Sequence, residues 1–423
     1  MKKTLLFAIA LLLISTPALA EPEQWPRFRG PNGQGISTAT GLPTQWSDTE
    51  NVAWKTPIPG AGWSSPIIWD DHIFLTTATD EGRECRVIAV DRGNGEILWN
   101  TMVFTQVLER QNPRNSRASP TPVTDGERVY AVFPNGHFVA LDFAGNILWT
   151  NTDLDFRSCH GFASSPILYG DLLITAVNPS DMHGERAEGG RIVGHQVPWD
   201  RSFLLALDKN TGEERWRGMR GMTSISSSTP VVIQVDGKSQ ILSMVGDVTQ
   251  GFDPATGELV WTVRSGGQPA VPSPAIGADG MVFAAPILGI RTDGRGNVTD
   301  THIAWRQGRN SPSIASFLYV NSVLYTAAGN GNFSAVDPAN GNILWEHRLE
   351  GGSPDSSPIY ADGKIFVTTA EGITTVFRPN ANPETPAEVV AVNDISEMVQ
   401  ATLAIAGNQI FIRTDQALWC IGE

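Results

Sequence analysis

The sequence predicts an all-β chain: an eight-bladed β-propeller of four-stranded antiparallel blades, its ring closed by the N-terminal strand. Three observations lead there. A line containing a small residue, an Asp, a Gly turn and a Trp is written six times, at Ala89–Trp99, Ala140–Trp149, Ala206–Trp216, Phe252–Trp261, Ala335–Trp345 and, degenerately, up to Trp305. It recurs about every 40 to 50 residues between apolar runs, the period of stacked small sheets. A second marker, a Ser or Thr entering an apolar strand, occurs eight times and counts the blades without using Trp.

The units follow in order. Their openings are Ser65-Pro66, Thr121-Pro122, Ser165-Pro166, Thr229-Pro230, Ser273-Pro274, Ser316-Phe317, Ser357-Pro358 and Thr402-Leu403. Proline is tolerated there because the first residue of a strand owes the ladder no donor. Unit one spells out the rest: Pro66–Trp69, a turn at Asp70-Asp71, His72–Ala78, Arg86–Asp91, a turn at Asn94-Gly95, and Glu96–Phe104. Asp or Asn with Gly between apolar runs is the strongest short-range hairpin signal. Unit eight ends after its third strand, Ala417–Ile421, while Val52–Ile58 is a Trp-bearing strand without a unit. The N-terminal strand is therefore expected to complete the last blade, removing two exposed edges.

A Trp once per blade on the outermost strand suits the wedge between neighbouring blades. Trp54, Trp99, Trp149, Trp216, Trp261, Trp305 and Trp345 are read as this packing set, with the Gly turn permitting close approach. The repeated Asp reads as a turn former that accepts backbone amides rather than as a general base.

Residues 1–20 have the pattern of a secretory signal: Lys2 and Lys3, an apolar run from Leu5 to Ile14, and Ala18-Leu19-Ala20 before the cut. Cleavage after Ala20 would leave a periplasmic or secreted chain, with a leader over 21–50 and one propeller over 51–423. The signal's apolar run is too short to span a membrane, and no second run of spanning length occurs. The formal charge of −14 argues against nucleic acid as a partner. The three cysteines, Cys85, Cys159 and Cys420, allow at most one internal disulfide, and their spacing suggests no metal site.

The Ala-x-Asp-x-x-Thr-Gly-x-x-x-Trp line, met by Thr211-Gly212 and Thr256-Gly257 and varied at Asn94-Gly95 and Asn340-Gly341, resembles the tryptophan-docking motif of the PQQ-like repeat family. The leader Trp25–Gly35 looks like one preceding many exported propellers of that kind. The resemblance covers nearly the whole mature chain and implies two branches. One is the quinoprotein alcohol dehydrogenases, which hold pyrroloquinoline quinone and calcium on the axis beside a pair of adjacent cysteines. The other is the non-enzymatic propeller of the outer-membrane β-barrel assembly machine, which docks proteins. This chain has no Cys-Cys pair, and no calcium-binding carboxylate set maps onto it.

Function is expected on the face shared by the inter-blade loops and the loops joining second and third strands. Trp63, Arg110, Arg114, Arg117, Arg157, His160, Arg306, Arg309 and Asn310 fall there, and the arginines would make an anion-attracting funnel if they converge. The longest interruption, 178–202, carries His183, Glu185, Glu188 and His195, whose spacing fits no short metal motif. No nucleophile, base and orienting group can be assembled from the sequence. The expectation is a monomeric, non-catalytic scaffold without cofactor, binding a protein or peptide of the cell envelope. The alternatives are a PQQ- and calcium-dependent or other small-molecule oxidoreductase using the axial funnel, and a carbohydrate-binding module using Trp63 and Trp199 as an aromatic platform.

Overall fold

The computed structural model describes residues 24–107, 112, 115–181, 186–187 (backbone only), 190–266, 271–385, 387–422. Eight four-stranded antiparallel sheets stand around one axis, the first seven stepping from an innermost to an outermost strand in chain order. Blade one is Ile67–Trp69, His72–Thr79, Glu84–Asp91 and Ile97–Thr105. Blade eight is Ala404–Ala406, Gln409–Arg413, Ala417–Ile421 and the N-terminal strand Val52–Pro57. Lys55 stands opposite Trp419 and Pro57 opposite Ala417, so the chain's two ends close the ring as expected. Across this seam Lys55 Nζ lies 2.6 Å from Glu397 and 4.2 Å from the centre of the Trp419 ring.

The tryptophans dock from one blade onto the next. Trp54, Trp99, Trp149, Trp305 and Trp345 donate their indole N–H to carbonyls of Arg92, Phe143, Lys209, Pro338 and Asn380, at 2.7–3.0 Å. Each of the first four rings lies on the glycine of the turn it meets; a Cβ on Gly212 would come within 2.5 Å of Trp149. The turn aspartates accept amides as expected: Asp208 Oδ1 takes those of Asn210 (2.7 Å) and Thr211 (3.2 Å).

Trp261 departs from the pattern, for a visible reason. Blade five has no tight turn between its last two strands; a short strand, Gly296–Asn297, runs parallel to blade four's outer strand, and a one-turn helix, Thr299–His302, follows. Trp261 is buried under this cover and donates within its own blade to Gln240, at 2.8 Å.

The leader fills the axis. Trp25 exchanges backbone bonds with Ile68 of blade one (2.9 and 2.8 Å), and the Pro26 carbonyl accepts from Thr124 of blade two (2.9 Å). Farther along, Gln34 accepts from Ile276 of blade five (2.8 Å), and Gly35 and Ser37 pair with Tyr360 of blade seven. The turns of this segment use Gly30, Gly33 and Gly35 at φ of +77°, +71° and +73°. Fully buried Arg29 bonds the carbonyls of Gly33, Gln34 and Phe317, the last at 2.5 Å from the facing blade. Burial without a carboxylate pulls its guanidinium down to about 9.

Candidate functional site

The eight Ser/Thr openings do more than begin strands. In each, the backbone amide donates to the hydroxyl of the next blade's opening: Ser65 to Thr121, Thr121 to Ser165, Ser165 to Thr229, Thr229 to Ser273, Ser273 to Ser316, Ser316 to Ser357, Ser357 to Thr402, and Thr402 back to Ser65. All eight bonds are 2.9–3.2 Å. An amide facing a crowded axis has no strand to pair with, and a buried unpaired N–H costs about 1–3 kcal/mol. A hydroxyl on the neighbouring blade satisfies it. The sequence carried this signal eight times, but without a neighbour to accept the bond it read only as a strand start.

Above this girdle lies the axial cavity, about 420 Å³, closed below by Phe28 of the leader. Its walls are hydroxyls and apolar groups: Trp63, Phe156, Phe162, Ile225 and Val271 among the latter. Among the described residues its lining includes one carboxylate, Asp355, and no arginine or lysine.

At the rim, three donors meet. Cys159 and His160 come from the loop between blades two and three; His195 comes from the long insertion in blade three. One ligand atom from each lies within 4.8 Å of the other two. The His160 and His195 rings stack, centres 4.9 Å apart and planes 19° from parallel. The described part of the insertion is held over the rim by Ile225 N–H to Gly194 (2.6 Å) and by a Trp199–Thr223 bridge. The other loop is pinned by Asn112 N–H on the Cys159 carbonyl (3.0 Å), Asn115 on the His160 carbonyl (2.5 Å) and Ser180 Oγ accepting the Cys159 amide (2.8 Å). Burial pushes the Cys159 thiol up, with the Ser180 hydroxyl pulling the other way, and burial pushes His195 down, favouring neutral imidazole. All three cysteines are free; Cys85 and Cys420 are buried, each thiol raised to about 12 by desolvation.

Of the residues expected on the loop face, Trp63 and His160 line the cavity. The described arginines do not converge on it. Arg117 and Arg157 border a separate depression, Arg157 lying 3.8 Å from Asp155. Arg306 reaches the Ser265 carbonyl at 2.8 Å, while Arg309 and Asn310 both bond Glu346. Arg110 and Arg114 lie outside the described residues, as do His183, Glu185 and Glu188. Trp199, expected as half of an aromatic platform, is 9% exposed with Arg201 5.2 Å over its ring. It is a packing residue of the insertion.

Comparison with known proteins places this architecture. Residues 36–181, 188–299 and 296–385 match the family model described as outer membrane protein assembly factor BamB. The chain belongs to the BamB family. Among curated proteins it is similar to outer membrane protein assembly factor BamB of Salmonella typhimurium, 28% identical over 40% of this chain and 36% of that protein. The matched stretch thus spans about a third of that relative's length. Quinohemoprotein alcohol dehydrogenase ADH IIB of Pseudomonas putida is 21% identical over 83% of this chain and 45% of its own. The solved BamB of Moraxella catarrhalis superposes with a TM-score of 0.57 at 15% identity, covering 87% of this chain and 98% of that one. At that identity the likeness is one of fold, and a fold of this kind is a scaffold on which unrelated activities occur.

Proposed function

We propose that this chain is a non-catalytic docking scaffold of the cell envelope, exported by its N-terminal signal and binding a protein or extended peptide through its loop face. The observation that carries the reading is that four of the inter-blade loops each present an exposed apolar side chain. Val107, Met222, Val271 and Met398 are 90%, 51%, 38% and 52% exposed, on four different inter-blade connections, and Val271 also lines the axial cavity. An apolar side chain held out on a polar loop is a group a protein partner can bury, and contiguous patches of them mark interaction faces. Family membership supports it, since the BamB relatives are named as assembly factors.

A photo-crosslinking residue at Val107, Met222, Val271 or Met398, compared with one at Leu148 on an outer strand, tests it in intact cells. Defined adducts are expected from the loop positions alone. Equal labelling at Leu148, or none from the loops, overturns the reading.

The dehydrogenase relative supplies the second reading. Pyrroloquinoline quinone is a tricarboxylate, and the described cavity walls offer it no cation and only Asp355 for calcium, a poor fit. Alcohol-dependent dye reduction after adding the quinone with calcium would nevertheless reverse this ranking.

A further inference from the structure

We propose that Cys159, His160 and His195 bind one thiophilic transition-metal ion, zinc or copper, with a coordination position open toward the axial cavity. The inference is independent of the docking function.

A thiolate with two imidazoles is the donor set of borderline-to-soft metals; calcium and magnesium prefer oxygen. The donors come from two segments far apart in the chain, each anchored by backbone bonds of its own, so their meeting is a product of the fold. His195 Nδ1 is buried without a hydrogen-bond partner. A ring nitrogen left so is a cost that a metal ion would remove.

The distances suit the assignment. Metal–nitrogen bonds of about 2.0–2.1 Å and a metal–sulfur bond of about 2.3 Å place tetrahedral ligand atoms roughly 3.3–3.6 Å apart. From a triad whose atoms lie within 4.8 Å, closing on an ion needs side-chain movements of about an ångström together with rotation of the two stacked rings out of parallel, since each lone pair lies in its ring plane. Three protein ligands leave the fourth place vacant, as in sites that keep water or bind a further group. His160 and His195 both line the cavity, so that place faces its interior. Ser180 accepts the Cys159 amide at 2.8 Å and also bonds its thiol, which places it to orient the sulfur.

The test uses the full mature chain, thiols reduced and metals stripped by chelator, titrated with Co²⁺. One equivalent is expected to bind and raise a thiolate-to-cobalt charge-transfer band with tetrahedral d–d bands. Cys159→Ser should abolish the charge-transfer band, His195→Ala should weaken binding about tenfold or more, and Cys85→Ser should change neither. Near-ultraviolet circular dichroism checks that each variant is folded; His195→Ala alters a surface insertion and keeps the test valid if Cys159→Ser misfolds. Displacement of Co²⁺ by Zn²⁺ identifies a zinc site, and displacement by Cu⁺ alone a copper site. Absence of the band from the folded native chain, or its survival in both variants, overturns the proposal.

Discussion

Replacing Gly212 with alanine measures what tryptophan docking contributes to blade cohesion. Gly212 has φ of +76°, and a Cβ there would meet Trp149 at 2.5, 2.8 and 2.9 Å. Two costs follow. The left-handed backbone costs a non-glycine residue about 1–2 kcal/mol. The displaced indole loses its 2.9 Å bond to Lys209, worth about 1 kcal/mol. It also re-exposes part of a ring now 9% exposed; a third of about 200 Å² at about 25 cal/mol/Å² adds roughly 1.5 kcal/mol. Gly237 separates the terms, because it has φ of +73° but nothing within 4 Å of its Cβ position. Gly237→Ala should therefore cost about 1–2 kcal/mol and Gly212→Ala about 4. Urea denaturation followed by tryptophan fluorescence and by circular dichroism reads the difference. Equal losses in the two variants would show that the glycine serves only the turn and that docking adds nothing.

Other expectations follow from the same interfaces. Trp149→Phe should cost about 1 kcal/mol more than Trp216→Phe, because the Trp216 N–H has no partner to lose; equal midpoints in urea would refute this. Ser316→Ala removes the acceptor of the buried Ser273 amide and should cost about 1–3 kcal/mol, while Ser316→Thr, the type found at Thr121, Thr229 and Thr402, should be nearly neutral by the same denaturation. At the seam, burial alone would raise the Glu397 carboxyl, but bonds from Lys55, Thr414 and Trp419 outweigh it and hold it below its ordinary value. A carboxyl lowered by folding stabilises above its unfolded value and stops doing so as pH falls through the folded one. Glu397→Gln should thus lower thermal stability at neutral pH and lose less than the native chain as pH falls through and below the ordinary glutamate range, a difference absent if the seam carries no charge coupling.

The blade number, the closing strand and the docking tryptophans were legible because each is repeated or paired within the sequence. A Trp, a Gly and an Asp at fixed spacing report the same local packing many times over, so even Trp305 could be placed from its neighbours. Trp261 was not legible in the same way, since its altered partner depends on what blade five lays across it. The leader was legible only as a segment like those preceding other exported propellers, and nothing in it told that Arg29 would reach the Phe317 carbonyl. The arginines were the least legible: spacing puts several on one face, but each side chain's direction is set by local partners such as Asp155, Ser265 and Glu346.

Local chemistry therefore decided the architecture by itself, because strand alternation, turn residues and a docking motif act over a few residues and recur in every blade. The ring brought together what chain distance keeps apart: eight hydroxyls each accepting the neighbouring blade's amide around a circle, a plug in the channel, and Cys159 and His160 set against His195. Those meetings depend on closure in three dimensions, which no stretch of sequence encodes alone.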